Sequence, residues 1–252
     1  MLKVRIIPCL LLKDDGLVKT VNFNKFNYVG DPINTCRIFN ELEVDELTFL
    51  DIRTTLENKE PNYKVLKEIS EECFMPVSYG GGIKTLNQVE KILSIGFEKV
   101  IINSAALENR KLVNEIADNF GSQSLIISID YKKNLFGKYN VYGYSGTKKY
   151  SLNPLELANE MMNEGAGELL LTSIDREGTW KGFDVKLTKQ ITESINLPVI
   201  ANGGAGSLDD ICDVVHNGGA SAVALGSMVV YQAKDMGVLI NFPDREVLAE
   251  KI

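Results

Sequence analysis

The chain has 252 residues, 44% of them hydrophobic and 24% charged, with a net charge of −7 at pH 7. That balance fits a soluble globular chain with a sizeable core, and its acidity argues against nucleic acid or an anionic membrane as the main partner. The single histidine, His216, and four cysteines without a C-x-x-C pair remove most metal sites, Ser-His-Asp triads and zinc or redox motifs.

Cys9, Cys36, Cys73 and Cys212 read as reduced thiols of a cytosolic protein. A site can be locally positive on an acidic chain, so an anionic small substrate stays open. Residues 1–5 run directly into an apolar segment, with no charged-then-apolar leader. No run of about 18 apolar residues follows anywhere, so neither export nor a membrane span is expected, and the cytoplasm is the expected location.

Residues 5–11 form the first predicted strand. A glycine-bearing loop follows over about 13–30, and Asp31-Pro32 then opens a helix, with proline in its first turn. Residues 46–52 are the second strand, and a helix at 63–73 leads to the third at 75–79. A helix from Thr85 leads to the fourth strand at 99–103, then a helix at about 109–119. The fifth strand is 124–130, and the alternation of 138–144 suggests a hairpin inserted after it. A helix at 154–163, a strand at 168–173 and a helix at 186–194 follow. The chain ends with a strand at 198–201, a helix at 208–216, a strand at 221–225 and a last helix after Met228. Eight strands apolar on both faces, alternating with helices over this length, predict a single (β/α)8 TIM barrel across residues 1–252. A doubly wound sheet is the rival.

Two stretches organise the chain. Pro198-Val-Ile-Ala-Asn-Gly-Gly-Ala-Gly206 and Pro76-Val-Ser-Tyr-Gly-Gly-Gly-Ile83 each run from a short strand through a glycine cluster into a helix. Their prolines are 122 residues apart, and the same offset links Gly81 to Gly203, Gly82 to Gly204, Gly96 to Gly218, and Glu46 to Glu168. The expectation is two repeated half-barrels, about 1–120 and 121–252. Repetition favours closure over an open sheet.

In a barrel the chemistry lies where the strands end. Gly80, Gly81 and Gly82 end strand three, and Asn103 and Ser104 end strand four. Gly203 and Gly204 end strand seven, and Gly226 and Ser227 end strand eight. Backbone N–H groups there could hold two phosphates on opposite sides of the mouth. The bland alternative is glycines that only serve turns and packing. Asp130 ends strand five, as a general acid or base or as a carboxylate bonded to nearby backbone. Its repeat partner at the end of strand one is Leu11. Trp180 is either an aromatic surface near the mouth or a packed loop residue. His216 reads as a surface residue.

Arg5-Ile-Ile-Pro-Cys-Leu, Gly30-Asp-Pro, Phe49-Leu-Asp-Ile52, Gly80-Gly-Gly-Ile, Asn119-Phe-Gly-Ser-Gln123, Leu171-Thr-Ser-Ile-Asp-Arg176, Glu177-Gly-Thr179 and Gly203-Gly-Ala-Gly206 together resemble the cyclase subunit of imidazole glycerol phosphate synthase. The resemblance covers nearly all of the chain to about Ser227. It implies a duplicated half-barrel that takes ammonia from a glutaminase at its N-terminal face to a bis-phosphorylated ribonucleotide derivative at its mouth. It further implies phosphate or substrate contacts at Gly81, Gly82, Asn103, Ser104, Thr172, Glu177, Gly203, Gly204, Gly226 and Ser227, and a mobile first loop carrying Lys19. Arg5, Glu46, Lys99 and Glu168 match its charged ring at the ammonia entrance. Read from the residues alone, these four stand near strand starts and neutralise one another, as a gate or as a salt-bridge plug.

The departures carry equal weight. The family uses two strand-end aspartates, and here the first is Leu11, which transfers no proton. Its aspartate after strand six is Glu177. An intact entrance with impaired ring-closure chemistry resembles paralogues associated with surface-polysaccharide genes, which work with a glutaminase and a sugar amidotransferase to make acetamidino sugars. Three readings follow: an ammonia-channelling subunit acting on a non-histidine acceptor, a true cyclase in which Asp14 or Asp15 replaces Leu11, and a non-catalytic scaffold that activates a glutaminase. No metal and no nicotinamide, flavin or pyridoxal cofactor is implied.

Overall fold

The computed structural model describes residues 4–252; of the N-terminal reading, Met1, Leu2 and Lys3 lie outside the described residues. The first half runs β1 (Arg5–Lys13), β2 (Gly16–Val21), β3 (Asn24–Gly30), α1 (Pro32–Glu41), β4 (Leu47–Asp51), α2 (Tyr63–Glu72), β5 (Val77–Gly80), α3 (Leu86–Ile95), β6 (Lys99–Ile102), α4 (Ser104–Glu108) and α5 (Arg110–Phe120). It continues through β7 (Leu125–Lys133), β8 (Tyr139–Gly143), β9 (Lys148–Tyr150), α6 (Pro154–Asn163), β10 (Glu168–Ser173) and α7 (Val185–Thr192). The last elements are β11 (Val199–Asn202), α8 (Leu208–His216), β12 (Ala222–Leu225), α9 (Ser227–Val230) and α10 (Arg245–Lys251).

Eight of the strands, β1, β4, β5, β6, β7, β10, β11 and β12, pair parallel in that order, and β12 closes on β1 with Arg5 opposite Ala222. The result is the expected (β/α)8 barrel. Strand alternation divides its apolar residues into two cores. Ile7, Cys9, Ile101, Ile126, Leu170, Ile200, Ala222 and Ala224 pack inside the barrel. Ile6, Leu10, Leu47, Phe49, Val100 and Leu169 face the helices instead.

The helices begin where the residues dictate. Asp31 accepts a hydrogen bond from the Asn34 amide at 2.8 Å at the start of α1, ahead of Pro32. Thr85 and Gln88 form a reciprocal capping box on α3, which aims that helix from the Gly80–Gly82 run. Such a cap contributes about 1 kcal/mol. Among the described residues, no helix is long and apolar enough to cross a membrane.

Residues 13–30 correct the loop expectation. They form an antiparallel hairpin, with β2 pairing β1 on one side and β3 on the other. Asn22 and Phe23 turn it with φ of 53° and 62°, the backbone a two-residue hairpin turn requires. The inserted hairpin after the fifth strand is present as β8 against the extended end of β7, with β9 added beside it. The short α4, directly after β6, is an element the sequence reading did not separate. Five residues carry too little periodicity to reveal it.

Candidate functional site

The barrel base is closed by four charged side chains. Arg5 donates to Glu46 at 2.6 Å and is also bonded to Glu168. Lys99 reaches Glu46 at 3.2 Å and Glu168 at 3.1 Å. Each cation therefore touches both anions. The carboxylates are buried and the two cations partly exposed. Burial works against charge on Arg5, but its bonds and proximity to Glu168 and Glu46 outweigh this and raise its pKa. Removing one partner would leave a buried carboxylate uncompensated. The four residues thus come together as expected, with the 122-residue repeat supplying the two glutamates.

Above the ring the lumen is mainly apolar, lined by Ile7, Ile101, Ile126, Leu170, Ile200 and Ala222. Its polar feature is the Thr48–Ser78 hydroxyl pair, 2.8 Å apart. Beyond that layer, at the strand ends, a cavity of about 530 Å³ opens. Cys9, Leu11, Leu50, Ser128, Asp130 and Thr172 form its floor.

Asp130 is 9% exposed and accepts a hydrogen bond from Ser128 Oγ at 2.9 Å. Burial pushes its carboxyl up to about 6, against hydrogen bonds from Ser128 and Thr172 that favour the charged form. Asn202 in turn donates to the Thr172 hydroxyl at 3.2 Å. Asp130 is thus held by side-chain hydroxyls rather than by the backbone contacts of the structural alternative. Cys9 is pushed up to about 12, chiefly by burial, so it stays a neutral thiol. Leu11 faces the same cavity. Asp14 and Asp15 do not replace it. Asp14 pairs with Lys13 at 3.3 Å, Asp15 accepts from Asn62 at 3.1 Å, and neither lines the cavity.

Gly81, Gly82, Asn103 and Ser104 line one end of the cavity. Gly82, at φ 70°, lies so close to Thr54 that a Cβ would overlap its methyl group. The Gly82 amide donates to Thr55 Oγ1 at 3.0 Å. The opposite cluster is arranged differently. Gly226 lines the cavity, but Gly203, Gly204 and Ser227 do not. Gly204, at φ 114°, packs against Gly182, whose amide donates to the Gly204 carbonyl at 2.8 Å.

Lys19 is buried, not solvated. Its ammonium contacts the Glu177 carboxylate and its chain crosses Gly226. Burial draws this ammonium down to about 8, with Cys9 acting in the opposite sense. Glu177 also accepts from Thr20 Oγ1 at 3.0 Å and from the Phe23 amide at 3.2 Å. The Asn22 side chain donates to the carbonyls of Ile174 and Asp175. The β2–β3 hairpin is therefore pinned onto the loop after β10. Trp180 lies in that loop outside the cavity lining, with φ 61° and its backbone against Gly206. His216 bonds the Lys251 carbonyl at 2.8 Å on the surface, in agreement with the sequence reading.

Sequence reasoning passed over several cavity residues. Phe23 and Phe26 on the hairpin and Leu56 supply apolar walls, and Arg53, Lys84 and Asn202 supply polar ones. Asn202 ends β11 and Arg53 follows the end of β4 by two residues, so a reading of every strand end and the loop after it would have found them. The aromatic walls had no signal, because the hairpin itself was read as a loop. Among the described residues, no group of three or more His, Cys, Asp and Glu side chains could hold a metal.

The family described as histidine biosynthesis protein matches residues 5–235. A Pseudomonas aeruginosa protein provisionally named imidazole glycerol phosphate synthase subunit hisF2 is 53% identical over 244 residues, 97% of each chain. A Leptospira interrogans protein with the corresponding provisional name is 47% identical over 247 residues, 98% of this chain and 97% of its own. A Vibrio vulnificus protein provisionally named subunit hisF3 is 44% identical over 244 residues, 96% of this chain and 94% of its own.

Proposed function

The chain belongs to the histidine biosynthesis protein family, and on that footing we propose that it is an ammonia-channelling synthase subunit. A glutaminase docks on the N-terminal face of the barrel. Its ammonia passes the Arg5–Glu46–Lys99–Glu168 ring, crosses the lumen and reaches the cavity at the strand ends. The acceptor is a phosphorylated or nucleotide-linked sugar bearing an acetamido group. A sugar amidotransferase at the mouth activates the amide oxygen as a leaving group with a nucleoside triphosphate. Ammonia forms the new C–N bond as that oxygen departs, and the product is an acetamidino sugar of a surface polysaccharide.

One observation carries this reading. The entrance ring is complete, while the cavity it leads to presents Leu11 where the family's chemistry needs a second carboxylate. Neutral ammonia loses little on entering an apolar lumen, whereas an ammonium ion would lose most of its hydration there. The ring fits a gate for that reason. Lys99 is the natural moving part, because an ammonium on a flexible stem makes point contacts that a small rotation breaks. Arg5 is the fixed part, with its guanidinium bonded to both glutamates. In the cavity Asp130 holds or moves a proton on the acceptor, and Gly82, Asn103 and Ser104 seat an anionic group.

A second reading keeps one observation in its favour. With its carboxyl near 6, Asp130 has the affinity expected of a general acid or base working near neutrality. A cyclase using Asp130 alone would account for it. General acid–base catalysis is worth roughly 10²–10⁴-fold, so loss of one of two such groups impairs that chemistry badly.

The conduit is tested by titrating a co-expressed glutaminase subunit of the same family with the barrel and following glutamine hydrolysis. Stimulation that saturates at one barrel per glutaminase is expected. No complex at micromolar concentrations would overturn the proposal.

A further inference from the structure

The two glycine clusters are related by the 122-residue repeat, yet only one of them is open. Gly81, Gly82, Asn103 and Ser104 all line the cavity, with the Gly82 amide resting on Thr55 Oγ1 at 3.0 Å. At the other cluster, the Lys19 side chain lies across Gly226. A Cβ on Gly226 would stand 2.8 Å from Lys19 Cε and 3.4 Å from Nζ. That ammonium is held by Glu177, whose carboxylate gathers the Thr20 hydroxyl and the Phe23 amide as well. A buried cation, a hydroxyl and a backbone N–H converging on one anion is the donor set that would otherwise serve a phosphate.

We infer that Glu177 supplies, from within the chain, the anion that a second phosphate would supply, so that the cavity takes a ligand with a single phosphate or other anionic group. That group sits at Gly82, Asn103 and Ser104. The rest of the ligand lies under Phe23, Phe26 and Leu56, which line the cavity. This deepens the proposed function and rests on its reading of the cavity as the acceptor site. It narrows the acceptor to sugars phosphorylated at one position, or to nucleotide sugars bound by one phosphate, and excludes ligands that need both clusters.

The probe is inorganic phosphate, followed by backbone amide NMR on the full chain. In the wild type, shifts are expected to saturate at Gly81, Gly82 and Ser104, with binding at Gly203, Gly204 and Gly226 about a hundredfold weaker or absent. Glu177→Gln keeps the side-chain length but removes the charge and turns one of the two acceptor oxygens into an NH2 donor. Lys19 then lacks its anion, and phosphate is expected to bind at both clusters. Lys19→Met is the control. It loosens the hairpin but leaves the carboxylate, so it should gain no second site.

Two equal sites in the wild type would overturn the inference. So would a second site in Lys19→Met, because mere opening would then explain it, or the lack of one in a folded Glu177→Gln variant. Binding at neither cluster would overturn it together with the phosphate part of the proposed function. The ammonia conduit would be untouched, since the glutaminase titration reads the other end of the barrel.

Discussion

Leu11 and Asp130 line one cavity from β1 and β7, and only Asp130 has a group that can hold a proton. The Asp130 carboxyl is raised from an ordinary 3.8 to about 6 because it is buried. Between those values the folded chain holds a proton that the unfolded chain releases. Stability therefore falls as pH rises through this window, by an amount on the order of 3 kcal/mol. Asp130→Asn does not titrate. Its melting temperature relative to wild type should rise from pH 4 to pH 7, measured by calorimetry, and a flat difference would place Asp130 in a solvated setting. Asp130 was legible because a carboxylate ended a buried strand. That Asp14 and Asp15 serve elsewhere was not, because the turn that directs them to Lys13 and Asn62 is a matter of tertiary placement.

At the scale of elements, the β2–β3 hairpin is the part the sequence left least clear. Its strands alternate weakly, and Asn22-Phe23 is an unusual pair for a turn with two positive φ values. What fixes it is contact with the loop after β10, through Glu177 and Asn22. Glu177→Ala leaves Lys19 buried without an anion, a change that typically costs about 3–5 kcal/mol in a buried pair. We expect the loss to be local. Hydrogen exchange at Val18, Lys19, Thr20 and Val21 should accelerate strongly, while the amides of β7 and β10 should keep most of their protection. Equal acceleration everywhere would mean that the hairpin is part of the cooperative barrel. Apart from α4 and the two short helices after β12, the helices and barrel strands were legible to within two or three residues, since their caps and two-faced apolar runs are local signals.

Across the whole molecule, the barrel joins two ends with opposite character. The base is a closed ring of two cations and two anions, and the mouth is a cavity with aromatic and aliphatic walls interrupted by polar and charged side chains. The ring was legible from strand starts and the repeat, whereas the sealing of one glycine cluster depended on a lysine and a glutamate 158 residues apart. Lys99→Met leaves Glu46 and Glu168 sharing Arg5 alone. It should lower stability by a few kcal/mol in urea unfolding. It should also uncouple glutamine hydrolysis from ammonia transfer in the glutaminase complex, so that free ammonia accumulates in the medium. Tight coupling in a folded variant would leave the ring only a structural role.

The most direct measurement is turnover of the bis-phosphorylated histidine-pathway intermediate by the purified chain, in saturating ammonium salt and without a partner. A conduit with Leu11 in the cavity and one glycine cluster sealed should show no detectable turnover. Leu11→Asp alone should recover little, and Leu11→Asp with Glu177→Gln should recover more, because both the proton-transfer group and the second phosphate seat are then restored. A wild-type rate within about tenfold of an ordinary cyclase, only about 1.4 kcal/mol of barrier, would contradict the account and make the chain a cyclase in its own right.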